Sequence, residues 1–325
     1  MKDTDFLYAS AALRAREGAA VGPEKQNRLI EADSLADAFA MLEEYGVPLV
    51  RDEGGAPLAE PTLSAYLAAA FSDMAALPGG AGAPVFLRYP YDINNLKLAI
   101  KCAGREDTPG AWFSPCGTQS GEQALQAVRK RDFSAYAEEI AAGARAALDD
   151  FAVSGNGQAI DLPLDRTCFA AMHRAAAGDA FLASLLALRT DLQNIITFAR
   201  LARRRDAAEG RRLLLLAWLP GGTLSAARMA DALAGGTAGI GEGPGGAFAG
   251  LDLLTAPFSE LERAADNAFL TALSRAAFIP FGAAVPAAYI LSREYEVKNL
   301  RIILSAKRAG LPPADIRARM RRASA

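Results

Sequence analysis

Cysteine, histidine and carboxylate side chains that could form a catalytic site occur close together at one place in this chain of 325 residues. The single histidine, His173, would have to serve any Ser/His/Asp or Cys/His mechanism, and Cys168 and Asp165 lie just before it. Residues five positions apart, such as Cys168 and His173, do not share one face of a helix well. We therefore interpret His173 as an ordinary structural residue, and an enzyme that uses Cys168 and His173 is a competing hypothesis.

The usual sequence patterns of metal and nucleotide sites are missing. The three cysteines, Cys102, Cys116 and Cys168, form no Cys-x-x-Cys pair, and one histidine adds no familiar zinc spacing. The glycines of residues 239–243 follow no predicted strand and include no Gly-Lys-Ser/Thr, so a flexible loop explains them better than a nucleotide site. We expect no catalytic residue, no cofactor-binding residue and no metal ligand.

The composition is typical of a folded protein with a large core. Hydrophobic residues make up 51% of the chain and charged residues 22%, and the net charge of −2 gives no electrostatic reason to bind nucleic acid. The longest aliphatic run, residues 213–219, is far shorter than the roughly 20 residues of a membrane-spanning helix. The odd number of cysteines fits a reducing compartment, and the N-terminus lacks the pattern of a signal peptide. We expect a chain that does not itself cross a membrane.

A short pattern occurs three times: an acid, two residues, an asparagine and an aliphatic residue. Apolar residues at steps of three and four follow each asparagine, which predicts an amphipathic helix. A serine precedes each copy, at Ser34, Ser120 and Ser225, and apolar residues follow each serine at matched positions. These paired markers predict a helical unit of about 100 residues that is present three times. The motif residues are Asp92 and Asn95, Asp191 and Asn194, and Glu296 and Asn299.

The fold predicted from these features is all-α, with three similar helical subdomains at residues 1–110, 111–210 and 211–325. Alanine is abundant and β-branched residues are sparse, which favours helix. Because asparagine is a mediocre helix former, its recurrence needs a reason. We interpret it as a structural residue that bridges the acid or a neighbouring loop carbonyl and fixes how adjacent helices dock. A ligand-binding role in all three copies is the alternative.

Segments typical of one protein family occur in order along nearly the whole chain. The most specific are Pro280-Phe281-Gly282, residues 294–304 and Lys307-Arg308-Ala309-Gly310-Leu311-Pro312. Weaker matches lie at residues 13–17, 91–97 and 192–200. Together these segments resemble the C subunit of V-type and A-type rotary ATPases, which is related to the eukaryotic V-ATPase d subunit.

This resemblance implies a non-catalytic central-stalk subunit. It also implies that three helical domains form a funnel around a pseudo-threefold axis, and that this funnel lies on the cytoplasmic face of the membrane. The expected partners are the shaft subunits D and F, the membrane proteolipid ring and the membrane stator subunit, with no nucleic acid and no small-molecule substrate. The implied function is to couple the rotating shaft to the ring during proton or sodium transport.

Basic residues at two places are candidate interface residues. They are Arg203, Arg204 and Arg205 in the middle of the chain, and Lys307 and Arg308 near its C-terminal end. The alternative function is a helical-repeat adaptor that binds proteins and is unrelated to ion transport. Such adaptors are typically built from repeats of roughly 20–50 residues, which the sequence does not contain.

Overall fold

The computed structural model describes residues 6–78, 84–103, 110–203, 207–235 and 243–322. Fourteen α-helices and short 3-10 helices make up these parts of the chain, and an isolated bridge between Arg51 and Pro57 is the nearest approach to a strand among them. The predicted all-α fold is therefore confirmed. None of the helices in these parts is long and apolar enough to span a bilayer.

The chain divides into two compact units. The first comprises Met1–Pro84 and Leu270–Ala325, and the second comprises Val85–Phe269. The division into three repeats at residues 1–110, 111–210 and 211–325, and their funnel arrangement, stay predictions.

Helix α13 is the centre of the first unit. It packs against α1, α2, α3, α4 and α14, and its apolar stripe, which includes Ile290, Leu300 and Ile303, is fully buried. Because the neighbouring helices cover this stripe, the burial of its apolar side chains holds the 25-residue helix in place although many of its residues are polar. The helices of this unit are α1 (Leu7–Glu17), α2 (Pro23–Glu31), α3 (Leu35–Glu44), α4 (Ala59–Ala75), α13 (Ala284–Arg308) and α14 (Pro313–Arg319).

The second unit is built around α8 and α9, which pack on each other and on their neighbours. Helix α8 forms an extensive contact with α7, where Gly143 allows close approach: a Cβ atom there would lie 2.5 Å from Thr167. Its helices are α5 (Tyr89–Cys102), α6 (Gly121–Lys130), α7 (Glu138–Ser154), α8 (Gln158–Ala176), α9 (Ala180–Ala202), α10 (Ala207–Ala217) and α11 (Ala226–Gly235). The remaining helix, α12 (Phe258–Leu273), begins in this unit and ends in the first.

Side-chain caps begin several helices where the sequence has serine or aspartate. Ser120 and Gln123 form a complete capping box at the start of α6. The Ser34 hydroxyl accepts a hydrogen bond from the backbone of Asp37 at the start of α3, and Asp179 caps α9 in the same way. Each cap satisfies a backbone N–H group that the helix itself leaves unpaired.

Candidate functional site

The three acid–asparagine pairs occupy buried faces of α5, α9 and α13. All six side chains are buried, which is unusual for carboxylates and asparagine amides. Buried polar groups are costly unless they are hydrogen-bonded, so their partners identify their function in the fold. We call these the first pair (Asp92 and Asn95), the second pair (Asp191 and Asn194) and the third pair (Glu296 and Asn299).

Asparagine binds both backbone groups of one loop residue in the first two pairs. Asn95 Nδ2 lies 3.0 Å from the Ser114 carbonyl, and the Ser114 N–H donates to Asn95 Oδ1 at 2.8 Å. Asn194 forms the same pair of hydrogen bonds with Leu219, at 3.0 and 2.9 Å. The side-chain amide therefore supplies hydrogen-bond partners for a loop residue whose N–H and carbonyl are not paired within a helix.

The acid of each of these pairs binds the turn that begins a later helix. Asp92 accepts hydrogen bonds from the Thr118 N–H at 2.7 Å, the Thr118 hydroxyl at 2.8 Å and the Gln119 N–H at 3.3 Å. Asp191 does the same with Thr223, at 2.9 and 2.6 Å, and with the Leu224 N–H at 3.1 Å. Each threonine lies two residues before the serine that starts the following helix, α6 or α11. Helix α5 thus fixes the start of α6, and helix α9 fixes the start of α11.

Glycine precedes both of these threonines because the carboxylate lies against it. A Cβ atom on Gly117 would fall 2.6 Å from Asp92 Oδ1, and one on Gly222 would fall 2.1 Å from Asp191 Oδ1. The sequence analysis used Ser120 and Ser225, two residues after these threonines, only as markers of repeated helical units. It did not predict that the Gly-Thr pairs before these serines contact the acids. The presence of the same Gly-Thr pair at both places was a visible signal.

The asparagine of the third pair makes the same kind of contact as the other two. The Arg321 N–H donates to Asn299 Oδ1 at 3.0 Å, and Asn299 Nδ2 donates to the Arg321 carbonyl at 3.2 Å. Asn299 Nδ2 also lies 3.2 Å from Gln26 Oε1. Asn299 therefore attaches the segment that follows α14 to the middle of α13.

The acid of the third pair binds the segment before α2. The Val21 N–H donates to Glu296 Oε1 at 2.6 Å, and α2 begins two residues later at Pro23. The sequence analysis paired Ser34 with the first copy, Ser120 with the second and Ser225 with the third. In the structure the acids of the first and second copies contact the turns before Ser120 and Ser225, and Ser34 caps α3.

Arg293 and Tyr66 complete the surroundings of Glu296. Arg293 Nη1 donates to Glu296 Oε2 at 2.6 Å, and the Tyr66 hydroxyl lies 2.9 Å from Glu296 Oε1. Burial, with the Glu296 carboxylate, raises the pKa of Tyr66, so its hydroxyl stays protonated and donates. The guanidinium of Arg293 also lies 4.9 Å from the Tyr66 ring centroid. The position of Arg293, three residues before the acid, was a possible sequence signal, but nothing local indicated Tyr66.

Burial raises the pKa of Asp92, and the hydrogen bonds from Thr118 and Gln119 oppose that rise. The charge of Arg88 also favours the ionised carboxylate, so the chain's own donors and a neighbouring arginine stabilise it. No group of histidine, cysteine and acidic residues suited to a metal ion occurs among the residues that the structure describes. The arrangement of the pairs is that of polar groups that fix backbone segments in position.

The structure does not bring Cys168 and His173 together into a catalytic pair. The Cys168 sulfur lies 3.9 Å from the Met172 sulfur, and burial raises the pKa of the thiol to about 12. His173 Nε2 lies 2.8 Å from the Thr190 hydroxyl, which itself donates to the Leu186 carbonyl, so Nε2 carries the proton. Burial also lowers the pKa of His173. A thiol that is protonated at neutral pH and has no adjacent base is not an activated nucleophile.

The candidate interface residues differ in what they contact. Arg203 donates to the carbonyls of Leu253 at 2.9 Å and Ala256 at 2.6 Å, so it fixes a loop of its own chain. Lys307 donates to the Ala32 carbonyl, whereas Arg308 is exposed at the end of α13. The other two candidates, Arg204 and Arg205, lie outside the described residues.

The sequence of the chain also matches a known family model. The model described as ATP synthase (C/AC39) subunit matches residues 9–319, which is nearly the whole chain. No curated protein matches the chain.

Proposed function

The chain belongs to the ATP synthase (C/AC39) subunit family, and on this premise we propose that it is the central-stalk socket of a V/A-type rotary ATPase or ATP synthase. It receives the lower end of the shaft, made by the D and F subunits, and transmits rotation to the membrane proteolipid ring. The family match over residues 9–319 is the observation that carries the proposal. It favours this role over a helical-repeat adaptor that is unrelated to ion transport.

The buried acid–asparagine pairs support a mechanical role. A subunit that transmits torque must resist deformation, and close-packed helices have low compressibility. Each pair adds directional hydrogen bonds between a helix and a distant backbone segment, such as those of Asn194 with Leu219. Such buried networks hold one packing arrangement more rigidly than apolar contacts alone.

The proposed subunit performs no chemistry of its own. The residues with catalytic potential, Cys168 and His173, are each engaged elsewhere in the core. The hydrolysis or synthesis of ATP and the binding of the transported ion then belong to other subunits of the complex. We place the chain at the cytoplasmic face of the membrane as a peripheral subunit, where shaft and ring meet.

Affinity purification from solubilised membranes tests this role. We expect an affinity-tagged form of the chain to recover the shaft subunits and the proteolipid of the same ATP synthase, identified by mass spectrometry. A tagged, unrelated helical protein of similar size is the control for non-specific recovery. Recovery of the tagged chain without either the shaft or the proteolipid would contradict the proposed role.

A further inference from the structure

Phe278 is an apolar side chain almost completely exposed to solvent. It ends the 3-10 helix Ser274–Phe278 in the first unit, and 89% of its surface is accessible. Phe281, three residues later, is 38% exposed. Together with Arg275 these residues form what we call the anchor loop, residues 275–281. Large aromatic side chains are typically buried, so two exposed phenylalanines within four residues of the chain are candidates for an interaction site.

The backbone that carries Phe278 is held firmly on both sides. Arg14 on α1 donates to the Ala276 carbonyl at 2.7 Å and to the Ile279 carbonyl at 3.2 Å. Ala276 itself is buried, and Pro280 restricts the backbone just beyond. Phe278 therefore lies on an ordered loop. Binding of a partner does not have to order this backbone, so it loses less conformational entropy.

The charge beside Phe278 indicates the chemistry of its partner. In a 3-10 helix, side chains three positions apart eclipse, so Arg275 and Phe278 project from the same side. Arg275 is exposed, as is Phe278. A surface that combines an aromatic side chain with arginine is typical of binding hot spots, and it complements an apolar pocket with an acidic rim.

A lipid surface is a poor match for this loop. A single myristoyl chain gives only marginal, reversible membrane binding. One exposed phenylalanine offers far less apolar area than that chain. A protein pocket that encloses the ring removes its whole apolar surface from water, which favours binding.

We propose that the anchor loop inserts Phe278 into an apolar pocket with an acidic rim on another subunit of the ATP synthase. This inference rests on the proposed function, because that function supplies the complex. It adds the contact residues, Phe278 as the anchor and Arg275 as the charged neighbour. Neither was among the interface candidates suggested by the sequence.

Binding of purified variants to membranes that contain the ATP synthase but lack this chain tests the proposal. We expect Phe278→Asp to weaken binding at least about tenfold, because hot-spot residues account for much of an interface's affinity. The matched control is Val153→Asp, since Val153 on α7 is also apolar and 91% exposed. We expect both variants to keep the wild-type melting temperature and the control to keep the wild-type affinity. Arg275→Glu should weaken binding and reduce its dependence on salt.

Photocrosslinking from position 278 distinguishes protein from lipid. We expect Phe278→p-benzoylphenylalanine to crosslink to a peptide of another ATP synthase subunit that contains acidic residues. Crosslinking to lipid, or equal binding of Phe278→Asp and Val153→Asp, would overturn the inference while wild-type binding still supports the proposed function. If the wild-type chain did not bind these membranes at all, the proposed function would fail and this inference with it.

Discussion

Replacement of Glu296 by alanine should lower the free energy of unfolding of the first unit by about 3–5 kcal/mol, because it leaves a buried arginine without its partner. Arg293 and Glu296 are only 7% and 8% exposed, and Nη1 lies 2.6 Å from Oε2. The substitution also removes the acceptor of the Val21 N–H and of the Tyr66 hydroxyl. The measurement is denaturant-induced unfolding followed by circular dichroism.

Glu60→Ala is the matched control for this prediction. Glu60 forms an ion pair with Arg301 at 2.7 Å in the same unit, but the two side chains are 61% and 44% exposed. Exposed ion pairs contribute about 0–1 kcal/mol, so the control should unfold almost as the wild type does. Equal effects of Glu296→Ala and Glu60→Ala would mean that the third pair does not hold the first unit together.

Asn194→Ala should destabilise the second unit by about 2–6 kcal/mol, since it leaves two buried backbone groups without partners. The groups are the N–H and the carbonyl of Leu219, which is itself buried. Each unsatisfied buried group costs about 1–3 kcal/mol. Differential scanning calorimetry and the protection of the Leu219 amide against hydrogen exchange both measure this effect.

Gln193→Ala on the same helix is the control, because Gln193 is exposed. It should change the stability by less than about 0.5 kcal/mol. We expect the triple variant Asn95→Ala, Asn194→Ala and Asn299→Ala to lose most of the folding free energy, which is typically about 5–15 kcal/mol in all. A triple variant as stable as the wild type would show that the asparagines have no structural role.

The helices and the family could be predicted from the sequence because their signals are local. Apolar residues at helical spacing and abundant alanine predicted the all-α fold, which the structure confirms. The ordered segments, from residues 13–17 to Lys307–Pro312, predicted the family that the match over residues 9–319 confirms. The repeated acid and asparagine predicted three helices, and these residues lie on α5, α9 and α13.

The partners of these residues could not be predicted because they lie in loops without periodicity. Nothing in the sequence connects Asn95 with Ser114 or Asn194 with Leu219, since a loop backbone can pair with many side chains. The contact between Glu296 and Val21 joins residues 275 positions apart. Sequence spacing gives the face of a helix on which a residue lies, whereas tertiary packing decides what that face meets.

Both units of the chain pair the backbone groups of buried loops with acid and asparagine side chains on a helix. Every loop that enters a buried region must pair its backbone groups, and a short buried asparagine or aspartate on a helix can do so without adding bulk. The first two pairs add a glycine, at Gly117 and Gly222, so that the carboxylate can approach the turn. The third pair uses a longer glutamate with Arg293 and Tyr66 instead.

Coupled transport in membranes that lack this chain tests the central claim most directly. ATP hydrolysis and ion pumping are measured in the same vesicles before and after purified chain is added back. We expect ATP hydrolysis by the catalytic subunits without ion pumping in the absence of the chain, and recovery of pumping when the wild-type chain is restored. Ion pumping that proceeds equally well without the chain would contradict its proposed role as the connection between shaft and ring.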